Sequence, residues 1–182
     1  MTSSEQLTSP ALQALLQDGQ LAGSWTLDPA RSEVRLQTRH TWGLRPLHGA
    51  FRQVSGSGTV TADGQVSGVI TVAAGSIDTK NATRDKHLRS ADFFDIAAHP
   101  DLTFTADGVS PADDGVRVTG SLTIRGNTRP ASFDAKVSTA EDEVWLDGEL
   151  QVNRADFGLT WNWMGIASTD NTIVIHAVFT RQ

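Results

Sequence analysis

The sequence predicts an all-β protein, about eight antiparallel strands closed into a barrel and preceded by one N-terminal helix. Apolar and polar residues alternate with period two in three separate stretches, short β-prone runs are divided by Gly, Asp, Asn and Pro, and a helical pattern occurs once, before residue 23. Alternation of this kind marks strands with one face in a core and one in water. Turn residues recurring between short apolar runs mark an antiparallel meander.

Residues 8–22 read as the helix: Thr8 or Ser9 can cap it, Pro10 suits its first position, Leu12, Leu15 and Leu16 share a face, and Gly19 and Gly23 end it. Three leucines on so short a helix need a partner, which can be the barrel wall, a barrel mouth or a second subunit in a homodimer. Residues 1–23 are therefore expected to form a helical extension and residues 24–182 the barrel domain. Val34, Leu36, Thr38, His40 and Trp42 alternate with Arg35, Gln37 and Arg39 in the first clear strand, whose inward face carries His40 towards one end. Further runs span 48–62, 65–73 and 101–107. The alternation returns at Val116, Val118, Gly120, Leu122 and Ile124, then at Val144, Leu146, Gly148, Leu150 and Val152. Phe133, Ala135 and Val137 lie between, and Ile173 to Phe179 is apolar on both faces apart from His176.

Closing such strands removes exposed edges. An eight-stranded barrel is wide enough for one small ligand, and nine-residue strands tilted by ~40° make it somewhat over 20 Å tall. Several inward positions are small or polar: Thr38, Gly58, Ala62, Gly68, Gly120, Ala135 and Gly148. They fit either a taper of small and large side chains or an open channel, and the glycines at 58, 68, 120 and 148 are expected to leave room for a ligand.

At 182 residues the chain suits one domain of ordinary size. A net charge of −6 argues against a nucleic-acid partner held by phosphate contacts. The absence of cysteine excludes disulfides and thiolate metal sites. The five histidines (His40, His48, His87, His99 and His176) form no HxxxH or HxH pair, so no metal site is expected. With no GxSxG elbow, Walker loop or GxGxxG, no catalytic residue or cofactor is expected either. Asp113-Asp114 and Glu141-Asp142-Glu143 read as solvated hairpin residues. The start, MTSSEQLTSP, lacks a basic n-region and an apolar h-region, and no run approaches the ~20 apolar residues of a membrane span. A cytoplasmic location without membrane insertion is the expectation.

Ser76 to Asp95, SIDTKNATRDKHLRSADFFD, carries the densest chemistry. Lys80, Arg84, Lys86, His87 and Arg89 surround one acid, Asp85, and Phe93-Phe94 follow between Asp92 and Asp95. The segment fits neither a solvated helix nor a half-buried strand. Cations beside rings suit an amphiphile: Arg84 and His87 can meet a polar or anionic head. The alternatives are a solvated basic face, rings that plug a core, and an Arg84 or Asp85 paired to a neighbouring strand. Trp161 and Trp163 fall on one side of an extended segment and Met164 adds adaptable apolar surface, suited to a tail, a core plug or a subunit contact.

The chain resembles the YceI family of lipocalin-like, polyisoprenoid-binding proteins. SIDT followed by RDxHLRSxDFFD carries the resemblance, with WTLDP at Trp25 to Pro29, His40, HGAF at His48 to Phe51, GSLTIRGNTRP at Gly120 to Pro130 and RADFGL at Arg154 to Leu159. Many relatives carry an export signal that is not seen here. The resemblance implies non-enzymatic binding, storage or transport of an isoprenoid of polyprenyl or quinone type, or a similar long-chain lipid, inside a lipocalin-like barrel. The expected ligand-binding residues are Leu36, His40, Trp42, Arg84, His87, Leu88, Phe93, Phe94, Phe104, Leu122, Trp161, Trp163 and Met164. Two rival functions stand beside it: an enzyme acting on a lipid or quinone with His40 and His87 as acid and base, and a protein–protein module working through the helix and the Trp-rich loop.

Overall fold

A computed structural model describes residues 5–40, 45–162 and 167–182. The chain enters through β1 (Glu5–Gln6) and helix α1 (Ser9–Gln17) and continues into β2 (Gly23–Leu27), β3 (Glu33–His40), β4 (Arg45–Phe51), β5 (Val54–Val60) and β6 (Val66–Ala73). After β7 (Ile77–Asp78) and helix α2 (Ala82–Arg89) come β8 (Asp101–Ala112), β9 (Gly115–Ile124), β10 (Asn127–Ala140), β11 (Glu143–Asn153) and β12 (Ala167–Arg181).

The strands β2, β5, β6, β8, β9, β10, β11 and β12 pair in that order, all antiparallel, and β12 returns to β2 at Phe179↔Leu27. The sheet is thereby closed, as the alternation predicts. Two wall strands are broken. Asp28 accepts a hydrogen bond from Ala30 N at 2.9 Å in the turn that separates β2 from β3, and β12 runs past the break to pair with both. Next to it, β4 pairs with β3 and β5 with β2. Hairpins are short because their sequences permit it: Arg125 and Gly126 take φ of 49° and 71°, the doubly positive pattern that matches strand twist.

Inward residues form one apolar core that includes Trp25, Leu27, Val34, Phe51, Leu102, Phe104, Val118, Leu122, Phe133, Leu150 and Ile173. Alternation placed Val34, Val118, Leu122, Phe133 and Leu150 correctly; the inward reading failed for Ala62, which is exposed in the β5–β6 hairpin. Helix α1 also ends before residue 22, in a turn where Gly19 has φ 69°.

The larger difference is α2, within the stretch that fits no amphipathic pattern. It forms because Asn81 caps it, accepting from Arg84 N at 2.9 Å, and because it is anchored by polar bonds instead of an apolar stripe. Asp85, buried, accepts from Thr79 N at 3.0 Å and Thr79 Oγ1 at 2.5 Å.

Exposed ion pairs tie loops to the barrel and, at Arg117–Asp134, one barrel strand to the next. Arg31 grips Glu143 at 2.6 and 2.9 Å, Arg117 grips Asp134 at 2.8 and 2.9 Å, and Asp78 accepts from Lys80 Nζ at 2.9 Å and Arg52 Nη2 at 3.0 Å. Lys80, then Arg52, holds the Asp78 carboxyl far below the usual carboxylate range; Arg31 lowers Glu143 and Arg117 lowers Asp134. A carboxylate whose folded pKa is depressed adds stability that is complete above its unfolded pKa, ~4, and lost as pH falls through the folded value. Thermal melts are therefore expected to hold their midpoint from pH 8 to 5 and to fall below pH 4. Because these pairs are exposed, salt should shrink the acid effect. A midpoint unchanged down to pH 2 would show that the pairs contribute nothing.

Candidate ligand site

An apolar cavity of about 150 Å³ occupies one end of the barrel. Its walls come from Ile70, Phe104, Ala106, Val118, Phe133 and Leu146, and α1 lines its mouth with Leu12 and Leu16, joined by Leu21 and Trp25, leaving it partly open. The space has a cause in the register. Gly58 pairs with Gly68 and Gly68 with Ala106, all three at the cavity, which sets a run of nearly bare backbone on its wall; the same row continues to Gly120 and Ala131 outside it.

The glycines in and beside this row differ in what they permit. At Gly58 an added Cβ would meet only Ser67 O, at 3.5 Å, so that position does open onto the cavity. At Gly120 it would fall inside the carbonyl of Thr105, with the carbonyl carbon at 2.9 Å and Ala106 Cα at 3.0 Å. At Gly148 it would strike the Phe133 ring at 2.7 Å. At Gly68 it would come within 2.8 Å of Ser57 O. Gly68 and Gly120 thus mark places where backbones approach, and Gly148 a seat for a ring, which corrects the expectation that these three leave room for a ligand as Gly58 does.

Helix α1 is nine residues long, and no side chain caps it at Thr8. Helices shorter than ~12–15 residues are marginal alone, so docking sustains it. Leu12 and Leu21 are buried and Leu16 half-buried, each worth about 1.5–3 kcal/mol when fully buried. Arg181 clasps the following turn: Nη1 donates to Ala22 O at 2.6 Å, Nη2 to Gln20 O at 2.8 Å and Nε to Asp142 at 2.9 Å, while the guanidinium lies 4.6 Å from the Trp25 ring centre. Trp25 Nε1 donates to Leu21 O at 3.0 Å. Of the three partners open to the helix, this chain's own barrel mouth is the one it covers.

The basic segment lies at the opposite end. Arg84 donates to Thr79 Oγ1 and Thr79 O, both at 2.7 Å, and Arg89 to Gly75 O and Ile77 O, also at 2.7 Å. These guanidiniums stitch α2 to the strand before it. His87 is half-buried with its ring centre 4.0 Å from that of Trp161, which is 45% exposed, and its buried Nε2 has no hydrogen-bond partner among the described residues. Leu88 packs half-buried on the core. Phe94 is buried edge-to-face against Phe51 and Phe93 at 6.1 and 4.9 Å.

Phe93 leads to a residue that composition did not single out. The Arg154 guanidinium carbon lies 5.8 Å from the Phe93 ring centre, and the residue is only 5% exposed. Nε donates to Ser168 O at 3.1 Å, Nη1 to Trp161 O at 3.0 Å and to Leu159 O, and Nη2 is buried without a partner among the described residues. Burial lowers its pKa from the ordinary arginine value. Its signal in the sequence was RADFGL, where one cation and one acid, Asp156, stand among apolar residues. Thr38, paired with Asn171 at the same end, has a buried Oγ1 that likewise lacks a partner among the described residues. Unpaired buried polar atoms are costly and uncommon, so this end holds three with hydrogen-bonding capacity left over.

The sequence-predicted set is therefore divided. Phe104 lines the cavity, 5.3 Å from Phe133 between ring centres, with Leu122 as its cross-strand partner in the core. Leu36 is half-buried on β3, and Arg84, His87, Leu88, Phe93, Phe94 and Trp161 gather at the other end. Trp42, Trp163 and Met164, and the side chain of His40, lie outside the described residues. Among those described, no group of three or more His, Asp or Glu side chains could hold a metal ion, and no helix is long and apolar enough to cross a membrane.

Comparison with known proteins agrees with this architecture. The model of the YceI-like domain matches residues 25–179. Protein YceI of Salmonella arizonae is 33% identical over 150 residues, 78% of each chain. A UPF0312 protein of Pectobacterium atrosepticum is 37% identical over 119 residues, and the match spans 62% of that relative's length. The crystal structure of BcnA from Burkholderia cenocepacia superimposes with a TM-score of 0.76 at 25% identity, over 84% of this chain and 98% of that one. A polyisoprenoid-binding domain from Saccharophagus degradans, implicated in plant cell wall breakdown, shares the fold with a TM-score of 0.69 at 15% identity, over 87% and 98%.

Proposed function

We propose that this chain, which belongs to the YceI-like family, binds a long-chain isoprenoid or similar amphiphilic lipid and carries or stores it without transforming it. The observation that carries this is the cavity of about 150 Å³ with apolar side chains and bare backbone for walls. The polyisoprenoid-binding domain that shares the fold supports the ligand class. Apolar walls with no convergent acid, base or nucleophile among the described residues favour holding over converting a ligand.

We assign the ligand's tail to the cavity and its polar head to the opposite end, where His87 Nε2 and Arg154 Nη2 lack partners among the described residues. Leu146 at the cavity and Arg154 are eight residues apart along one strand and its continuation, ~26 Å of chain, or ~20 Å along the axis of a tilted barrel. A ligand reaching both would have to part the Phe104–Phe133 edge contact.

Native mass spectrometry of the purified protein, with extraction of any copurifying lipid, tests the class. Titration with geranylgeraniol, read by fluorescence of the buried Trp25, tests the site. Replacing Ala106 with Phe should fill the cavity and weaken binding about tenfold or more, or 1.4 kcal/mol. Equal affinity for the filled variant would remove the tail from this cavity. His87→Phe should weaken a prenyl diphosphate more than the matching hydrocarbon, and equal losses would leave His87 a packing role.

A further inference from the structure

We propose that α1 is an internal plug that competes with long ligands for the cavity end of the barrel. This rests on the assignment of a lipid tail to that cavity. With α1 seated, the space is about 150 Å³. An apolar cavity of ~150 Å³ accepts a molecule the size of benzene. A polyprenyl tail is several times larger, and Leu12, Leu16 and Leu21 hold the rest of the barrel end. A compact apolar molecule therefore binds beneath the seated helix, whereas a long tail enters only as the helix withdraws.

The attachment of α1 suits withdrawal. Before the helix, two residues of β1 pair with Ser138 and Thr139, and Leu7 N donates to Val137 O at 2.9 Å; after it, the Arg181 clasp holds Gln20 and Ala22. The eight barrel strands close without it. The buried Ser9 Oγ has no partner among the described residues, a small cost that the docked state bears. By linkage, a ligand that binds only the unplugged state has an apparent affinity reduced by the fraction of time the plug is out, and loosening the plug restores it.

The test uses the full chain with two probes, toluene and geranylgeraniol. Amide hydrogen exchange across residues 9–22 is expected to slow with toluene and to speed up with geranylgeraniol. Arg181→Ala, which releases the clasp from outside the cavity, should tighten geranylgeraniol about five- to tenfold and leave toluene within about twofold. Saturable geranylgeraniol binding that protects α1, or that weakens in Arg181→Ala, makes the helix a wall of the site and overturns the plug while the carrier function stands. Absence of saturable geranylgeraniol binding to either protein overturns the carrier function itself, and the competition with it.

Discussion

Gly120→Ala is expected to destabilise the barrel by about 3–5 kcal/mol, whereas Gly58→Ala, in the same cross-strand row three strands away, should stay within about 1 kcal/mol of the parent. The contrast is in the backbone. At Gly120 a methyl group would overlap the Thr105 carbonyl beside the register shift between Ala106 and Gly108, and a carbonyl in a sheet ladder cannot rotate aside without losing its bond. At Gly58 the methyl group meets Ser67 O at an ordinary 3.5 Å, and the loss of chain entropy on folding is smaller than for glycine. Urea unfolding midpoints for the two variants check this. Equal midpoints would show that the β8–β9 corner yields, and that Gly120 is space and not a hinge of the wall.

That pair of glycines shows what the sequence did and did not disclose. Period-two alternation places Val116, Val118, Leu122 and Ile124 inward, and the structure buries all four, because a half-buried strand writes its two faces into the order of its residues. A glycine in that alternation carries no such mark. Whether it opens a cavity, as Gly58 does, or admits a neighbouring carbonyl, as Gly120 does, depends on the curvature of the closed sheet, which is a long-range property. The helix α2 was hidden for a related reason. Its only fully buried side chain is Asp85, and its arginines are spent on the carbonyls of Gly75, Ile77 and Thr79, contacts that no hydrophobic pattern records. The cavity was legible as an expectation of small inward residues, but its mouth, lined by Leu12 and Leu16, was one of three partners the helical face allowed, and only tertiary packing chooses among them.

Arg154→Met should be the most damaging single change at the end opposite α1, lowering stability by about 3–5 kcal/mol. Methionine matches much of the arginine's apolar reach over Phe93 but donates nothing, so the carbonyls of Leu159, Trp161 and Ser168 lose a shared charged donor in a place water does not reach freely. A charge-assisted hydrogen bond is worth about 1.5–3 kcal/mol, and three carbonyls that share one guanidinium do not lose independently. Arg154→Lys should recover little, because a single ammonium cannot fork between the ends of the 159–168 connection as Nε and Nη1 do. The unfolding midpoint measures the global loss, and limited proteolysis near residues 158–162 measures the local one. If Arg154→Met unfolds within 1 kcal/mol of the parent and tightens the chain against protease, the arginine was retained at a cost in stability. Its uncompensated Nη2 would then belong to the ligand and not to the fold.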